Sequence, residues 1–175
     1  PGQELAQNGL KFLAQARKFT AVPRPGIAAV IGGGNTAVDV ARSLLRFGVQ
    51  PLIIYRRRQL DMPAFDHEVK RAIEEGVRLM QLYAPVSIDR DHQGLAIRLQ
   101  KMKTSQIGSD GRPRVVPESD ETICVGVSDV YAAIGAKPAE CWMTPAEDAV
   151  SLKLSHCAMC LNEVPVVFGG DLTNA

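Results

Sequence analysis

No apolar run in the 175-residue sequence approaches the length of a membrane span, and its opening residues, Pro1-Gly2-Gln3-Glu4, are not those of a signal peptide. No membrane partner is therefore expected, and the cytoplasm is the expected compartment. An excess of either charge is also missing: 20 Lys and Arg stand against 19 Asp and Glu, and no long basic block forms. A nucleic-acid backbone is not an expected partner for such a surface. The four cysteines, Cys124, Cys141, Cys157 and Cys160, are too sparse for the disulfide framework of a secreted domain, so reduced thiols are expected. Internal repeats and low-complexity segments are lacking too. What remains is an ordinary globular composition, 46% hydrophobic and 22% charged, at a one-domain length. The chain opens on Pro1 without an initiator Met and stops at Thr173-Asn174-Ala175 after a glycine-rich turn, and it reads as a piece of a longer polypeptide.

Residues 4–18 place Leu5, Leu10, Phe12, Leu13 and Ala16 on an imperfect apolar face, which predicts a short helix ended by Pro23 and Pro25. Ile27-Ala28-Ala29-Val30-Ile31 is an unbroken apolar run, as expected of a strand buried on both faces in a parallel sheet. After three glycines, Ala37, Val38, Ala41, Leu44 and Leu45 recur at helical spacing until Gly48, and Leu52-Ile53-Ile54-Tyr55 follows as a second strand. A second helix is predicted over residues 64–75 and a strand over 77–83. From Pro85 to Val125 the alternating stretches predict an antiparallel β excursion. Residues 127–134 return to the parallel sheet and end at Gly135, and 164–168 form a last strand running into Gly169-Gly170-Asp171.

Chemistry is concentrated in Gly32-Gly33-Gly34-Asn35-Thr36-Ala37, a G-x-G-x-x-A pattern set between a buried strand and an amphipathic helix. Gly32 permits the tight turn, Gly34 lets the backbone approach a pyrophosphate, and Ala37 lets helix pack closely on strand. The helix N-terminus adds free N–H groups and partial positive charge. In this context the pattern implies dinucleotide binding; the alternative is a purely structural turn. At the end of the second strand, where an acidic residue would accept from the ribose hydroxyls of NAD, stand Tyr55, Arg56, Arg57 and Arg58. Guanidinium groups there bind the 2′-phosphate of NADP through charge-assisted hydrogen bonds, so Arg56 and Arg57 predict NADP(H). The bland alternative is a solvated basic strand end.

Taken together, Pro1-Gly2-Gln3-Glu4-Leu5, Val30 to Asp39 with its glycines, Tyr55-Arg56-Arg57-Arg58, Met62-Pro63-Ala64, Glu74-Glu75-Gly76-Val77, Ala133-Ile134-Gly135 and Phe168-Gly169-Gly170-Asp171 resemble one family in order and in coverage of nearly the whole chain. It is the NADPH-oxidising small subunit of bacterial glutamate synthase and its relatives, among the two-dinucleotide-domain flavoproteins. The resemblance implies an α/β, Rossmann-like three-layer domain of the FAD/NAD(P)-binding type, with a parallel sheet and an antiparallel β excursion. It implies residues 1–25 as a crossover from an FAD domain, 26–137 as the NADP(H)-binding domain, and 138–175 as the return toward the FAD domain. Gly170 and Asp171 would then face FAD, and Gly135 would let the chain pass close to the dinucleotide. The partners implied are the FAD domain of the same polypeptide and an iron–sulfur or flavin redox centre. The family's iron–sulfur cysteines and first FAD glycine motif are not in this sequence.

One feature departs from the family pattern: Cys157-Ala158-Met159-Cys160. Such spacing serves redox disulfides and metal sites. In thioredoxin-reductase relatives, however, the motif lies well upstream of the flavin Gly-Asp and is followed by Asp-Gly, whereas Leu161-Asn162 follows here. Incidental thiols are the preferred reading. His67 and Glu68 read as surface residues of a helix, and Met62 and Pro63 as shaping the loop after the arginines. No catalytic side chain and no metal ligand is expected, because in such enzymes the cofactors carry the hydride. The expected function is an NADPH-dependent flavoprotein oxidoreductase. The alternatives are a disulfide reductase using Cys157 and Cys160, and a non-catalytic dinucleotide sensor.

Overall fold

A computed structural model describes residues 1–91, 94–108, 113–135, 158–161 and 164–167. The elements in chain order are β1 (Gln7–Asn8), α1 (Gly9–Arg17), β2 (Ile27–Ile31), α2 (Asn35–Arg46), β3 (Gln50–Tyr55), α3 (Asp66–Glu74), β4 (Arg78–Gln81), β5 (Tyr83–Asp91), β6 (Gly94–Ile107), β7 (Pro113–Val127), β8 (Asp129–Ala132), β9 (Ala158–Leu161) and β10 (Val164–Val167). Five strands form a parallel sheet in the order β1-β8-β2-β3-β4, and β5-β6-β7 form an antiparallel sheet. The chain divides into two compact units, residues 1–134 and 135–175. Within the second, β9 and β10 pair antiparallel, Cys160 opposite Pro165.

Alternation along β2 and β3 explains the three layers of the first unit. Ala28, Val30 and Ile53 belong to a core shared with Phe12, Val38, Ala41 and Leu44 on the helical side. Ala29, Leu52 and Ile54 belong to the opposite core, with Ile88, Ile97 and Leu99 of the antiparallel sheet. Both faces of these strands are covered, which is why their sequences are unbroken apolar runs. The chain leaves one sheet for the other at Leu82, a non-glycine residue with φ 61° between β4 and β5.

The first predicted helix is shorter than its periodicity implies. Residues 3–5 make a single 3₁₀ turn, Gln7 and Asn8 pair with Tyr131 and Ala132, and α1 starts only at Gly9. Asn8 sets that start, its side chain accepting from Lys11 N at 3.0 Å. Gly9 allows close approach, since a Cβ there would lie 3.0 Å from Ala132 O. Residues 1–25 thus pack on the same core as the rest of the unit, Phe12 lying with its ring 4.7 Å from that of Tyr131. Burial, and then the charge of Asp129, push the Tyr131 hydroxyl up to about 12. Asp129 is itself buried and accepts from Arg24 N at 2.7 Å and from the Gln7 amide at 3.3 Å.

The second predicted helix also starts late, at Asp66 rather than residue 64. Ala64 N donates to Gly33 O and Phe65 N to the Asn35 side chain, which holds both amides outside the helix. Residues 77–83 are not one strand, because Leu82 divides β4 from β5. On the surface, Arg42 of α2 donates to both Glu75 oxygens and to Glu68, each at 2.7 Å, bridging to α3. The Arg42 hydrogen bonds hold the Glu75 carboxyl below its ordinary value of 4.5. A carboxylate with a lowered folded pKa stabilises fully above its ordinary value and loses that contribution as pH falls through the lowered one. Thermal unfolding followed between about pH 5 and pH 3 should therefore fall less steeply in Arg42→Gln than in the parent chain. Parallel curves for the two proteins would show that the bridge is not the cause.

Candidate functional site

The parallel strands all end at one edge of their sheet, and the chain reverses its direction of travel across the sheet between β2 and β8. Crevices at such points are where open α/β sheets bind ligands. At this edge Gly32 leaves β2 with φ 146°, its N–H donating to Ile54 O at 3.1 Å. A Cβ on Gly32 would collide with the carbonyl of Ala133, itself held by Ala133 N donating to Ile31 O at 2.8 Å. A Cβ on Gly33 would collide with the Tyr55 ring. Gly34 differs, because a Cβ there would meet nothing within 4 Å. Its carbonyl accepts from Ala37 N and Val38 N, which starts α2, while no side chain caps the helix.

The amides of Asn35 and Thr36 consequently point from the positive end of α2 with no acceptor among the described residues. Asn35 is exposed and fixed by Phe65 N at 2.9 Å, and Ala37 is fully buried against the core. The turn therefore presents the free N–H groups of Asn35 and Thr36 just after a backbone bend that needs glycine at Gly32.

The three arginines beyond β3 have different fates. Arg56 is exposed, and its guanidinium has no acceptor among the described residues. Arg57 is half-buried; its Nε donates to Pro113 O at 2.9 Å, and its own carbonyl accepts from Leu82 N at 3.1 Å. Arg58 is neutralised: Nε and Nη2 donate to the two oxygens of Asp61 at 2.8 and 3.0 Å. Those bonds hold the Asp61 carboxyl below its ordinary range, and the nearby charge of Arg57 adds to the effect. Tyr55, whose ring packs on Gly33, donates its hydroxyl to Asp61 O at 2.8 Å, so glycine turn and arginine loop are joined through one side chain. A hollow of about 460 Å³ opens at the far side of the arginine loop, lined by Arg58, Gln59, Leu60, Asp66, Gln81 and Leu82.

The fold thus brings Gly32, Gly33, Gly34, Asn35, Thr36 and Ala37 to the same sheet edge as Arg56 and Arg57. Gly135, with φ 109°, follows two residues after Ala133, and a Cβ there would meet nothing within 4 Å. Gly170, Asp171, Cys141 and Cys157 lie outside the described residues. Cys160 lies in β9, and Cys124 is an exposed free thiol. His67 is exposed and stacks on Phe65, while Glu68 is taken by Arg42. Among the described residues no three His, Cys, Asp or Glu gather as a metal site, and no helix is long and apolar enough to cross a membrane. Sequence reasoning missed Tyr55 as the link, the Arg58–Asp61 pair and the Pro113 carbonyl. The second had a signal, an arginine and an aspartate three residues apart.

The chain is 33% identical over 135 residues to the NADPH-Fe(3+) oxidoreductase subunit beta of Geobacter sulfurreducens, covering 75% of this chain and 20% of that protein. It is 34% identical over 112 residues to the glutamate synthase [NADPH] small chain of Halomonas elongata, covering 62% of this chain and 23% of that one. It therefore spans less than a quarter of either relative. Among solved structures, Mycobacterium tuberculosis FprA in complex with NADPH superposes with a TM-score of 0.61 at 19% identity, over 77% of this chain and 46% of that one. That likeness shows a shared fold, the α/β arrangement of a parallel sheet with an antiparallel one. The family model described as pyridine nucleotide-disulphide oxidoreductase matches residues 1–156 of the 175, and the chain belongs to that family.

Proposed function

We propose that this chain is the NADP(H)-binding domain of a flavoprotein oxidoreductase of the glutamate synthase small-subunit kind, working in the cytoplasm beside an FAD domain of the same polypeptide and an iron–sulfur or flavin partner. The observation that carries the reading is the end of β3. Among the described residues, Asp61 is spent on Arg58 and Asp66, which lines the hollow with Arg58, is paired with Lys70, while Arg56 stands with no protein partner. The names of the two relatives, both NADPH enzymes and one called a subunit, the other a small chain, support it. In the same reading residues 1–25 cross from the FAD domain, 26–137 bind NADP(H) and 138–175 return, with Gly170 and Asp171 toward FAD.

The residues present fit the dinucleotide. The open side of Gly34 and the unpartnered amides of Asn35 and Thr36 receive the pyrophosphate, with the α2 dipole favouring its charge. Arg56 and Arg57 receive the 2′-phosphate, and the hollow beside Arg58 offers room for the adenosine end. When bound, NADPH supplies a hydride, for which the flavin is the acceptor. The chain's own part is to hold and orient, so no side chain here needs to titrate.

Calorimetric titration should find NADPH bound more tightly than NADH by this chain, and equal affinities would end the reading. The chain alone should also purify colourless and oxidise no NADPH above background. Flavin absorbance in stoichiometric amount, or steady reduction of an artificial acceptor, would overturn the proposed division of labour.

A further inference from the structure

The antiparallel excursion covers one face of the parallel sheet, yet β6 and β7 run on well past that duty. Beyond Met102 and Pro117 the hairpin is largely exposed, with Lys103 to Ile107 all at the surface. Its pairing slips twice, between Gln100 and Met102 and between Thr104 and Ile107. Such irregularities bend and twist a ribbon and re-aim what lies beyond them. What lies beyond is Pro113, paired opposite Ile107, whose carbonyl accepts from Arg57 Nε at 2.9 Å. The same arginine is fixed from a second side by the excursion, since Leu82 N donates to Arg57 O at 3.1 Å and Met102 N to Leu82 O at 2.8 Å.

We propose that the β6–β7 hairpin is a positioning element for cofactor choice: through the Pro113 carbonyl it fixes the Arg57 guanidinium by Nε, leaving the two Nη groups as an end-on fork for the 2′-phosphate of NADP(H). The inference rests on the NADP(H) reading above. Five donors in a planar fork let arginine serve two acceptors at once. Lysine, a point charge on a flexible stem, cannot be held at one end and bind at the other. The arrangement also divides the work between neighbours. Arg56 has no protein acceptor among the described residues, and Arg58 is closed on Asp61, so of the three Arg57 is the arginine that the protein both orients and leaves with Nη donors free of described acceptors. An arginine ordered in advance loses less freedom on binding, which is how preorganisation strengthens an interaction.

The test uses NADPH and NADH in calorimetric titrations of the parent chain, of Arg57→Lys, and of a chain in which residues 104–115 are replaced by Asn-Gly. Arg57→Lys is expected to bind NADPH about tenfold or more weakly with NADH affinity unchanged. The shortened hairpin should show the same selective loss, and the two changes together no more than either alone, as expected of groups acting as one unit. A ³¹P titration of bound NADP+ supplies a readout that mere loss of packing leaves still. The 2′-phosphate pKa should be depressed by the parent chain and move back toward its free value in both variants, the pyrophosphate signals staying put. Should the shortened chain not fold, Pro113→Gly, which keeps the hairpin but loosens the carbonyl, decides by the same ³¹P shift. A shortened hairpin or a Pro113→Gly chain that keeps the parent's NADPH affinity and 2′-phosphate pKa would overturn the proposal. A parent chain with no preference for NADPH would instead overturn the reading on which it rests.

Discussion

Replacing Arg56 and Arg57 together by alanine is expected to abolish most of the preference for NADPH while leaving the affinity for NADH nearly unchanged. A hydrogen bond to a charged group contributes about 1.5–3 kcal/mol, and each 1.4 kcal/mol is about tenfold in affinity. Removing two such hydrogen bonds should weaken NADPH binding by about a hundredfold or more. NADH has no phosphate at that position, so its binding through the glycine turn should survive. The fold should survive as well. Arg56 is exposed with no protein acceptor among the described residues, and Arg57 contributes one side-chain bond, to Pro113 O. Calorimetry on the double variant decides the matter. Equal losses for NADPH and NADH would mean that the arginines serve general charge attraction, and no loss would mean that they face away from the cofactor.

Alanine at Gly32 and alanine at Gly34 should fail in opposite ways, although the two residues are two positions apart in one turn. Gly32 has φ 146° and its missing Cβ points into the Ala133 carbonyl, so Gly32→Ala strains the backbone by about 1–3 kcal/mol and also forces β2 and β8 apart. That variant should melt well below the parent chain or fail to fold. Gly34 has φ −87°, which any residue adopts, and a Cβ there meets no protein atom within 4 Å. Gly34→Ala should therefore fold with parent-like stability and still bind neither NADPH nor NADH, because its methyl group occupies the space a pyrophosphate needs. Thermal unfolding and cofactor titration of the pair separate the two roles. A Gly34→Ala chain that binds either cofactor normally would show that the phosphates do not approach there.

What the sequence made legible is what short-range chemistry dictates. The run from Ile27 to Ile31, the glycines, the apolar spacing of α2 and the run from Leu52 to Tyr55 each show their state within a few residues, and the βαβ unit lies where they put it. The excursion was legible for the same reason, as alternation broken by turn residues. Misjudged boundaries have a common cause in partners distant along the chain. Asn8 ends a strand pairing with β8 and caps α1, which no local period reveals. Ala64 and Phe65 are kept out of α3 by Gly33 and Asn35. The hairpin strand β9 was not foreseen, since Ala158-Met159-Cys160-Leu161 shows no period-2 alternation. Within the candidate site, side-chain identities were readable and main-chain acceptors were not. The Pro113 carbonyl is a main-chain group, and no side-chain type announces that it accepts from Arg57.

The strand order carries a kinetic consequence. Gly32 meets its steric mate, Ala133, only after β8 has entered between β1 and β2, and roughly a hundred residues separate the two along the chain, so a large loop must close before that pairing returns any energy. A nascent chain can zip β2, β3 and β4 early, because each follows the last at short range. Until β8 is synthesised, however, β2 keeps one bare edge of unpaired amides and carbonyls, a template for wrong pairing. The glycine turn is in this sense finished last: its glycines are made before the antiparallel sheet, and the carbonyl that moulds Gly32 only after it.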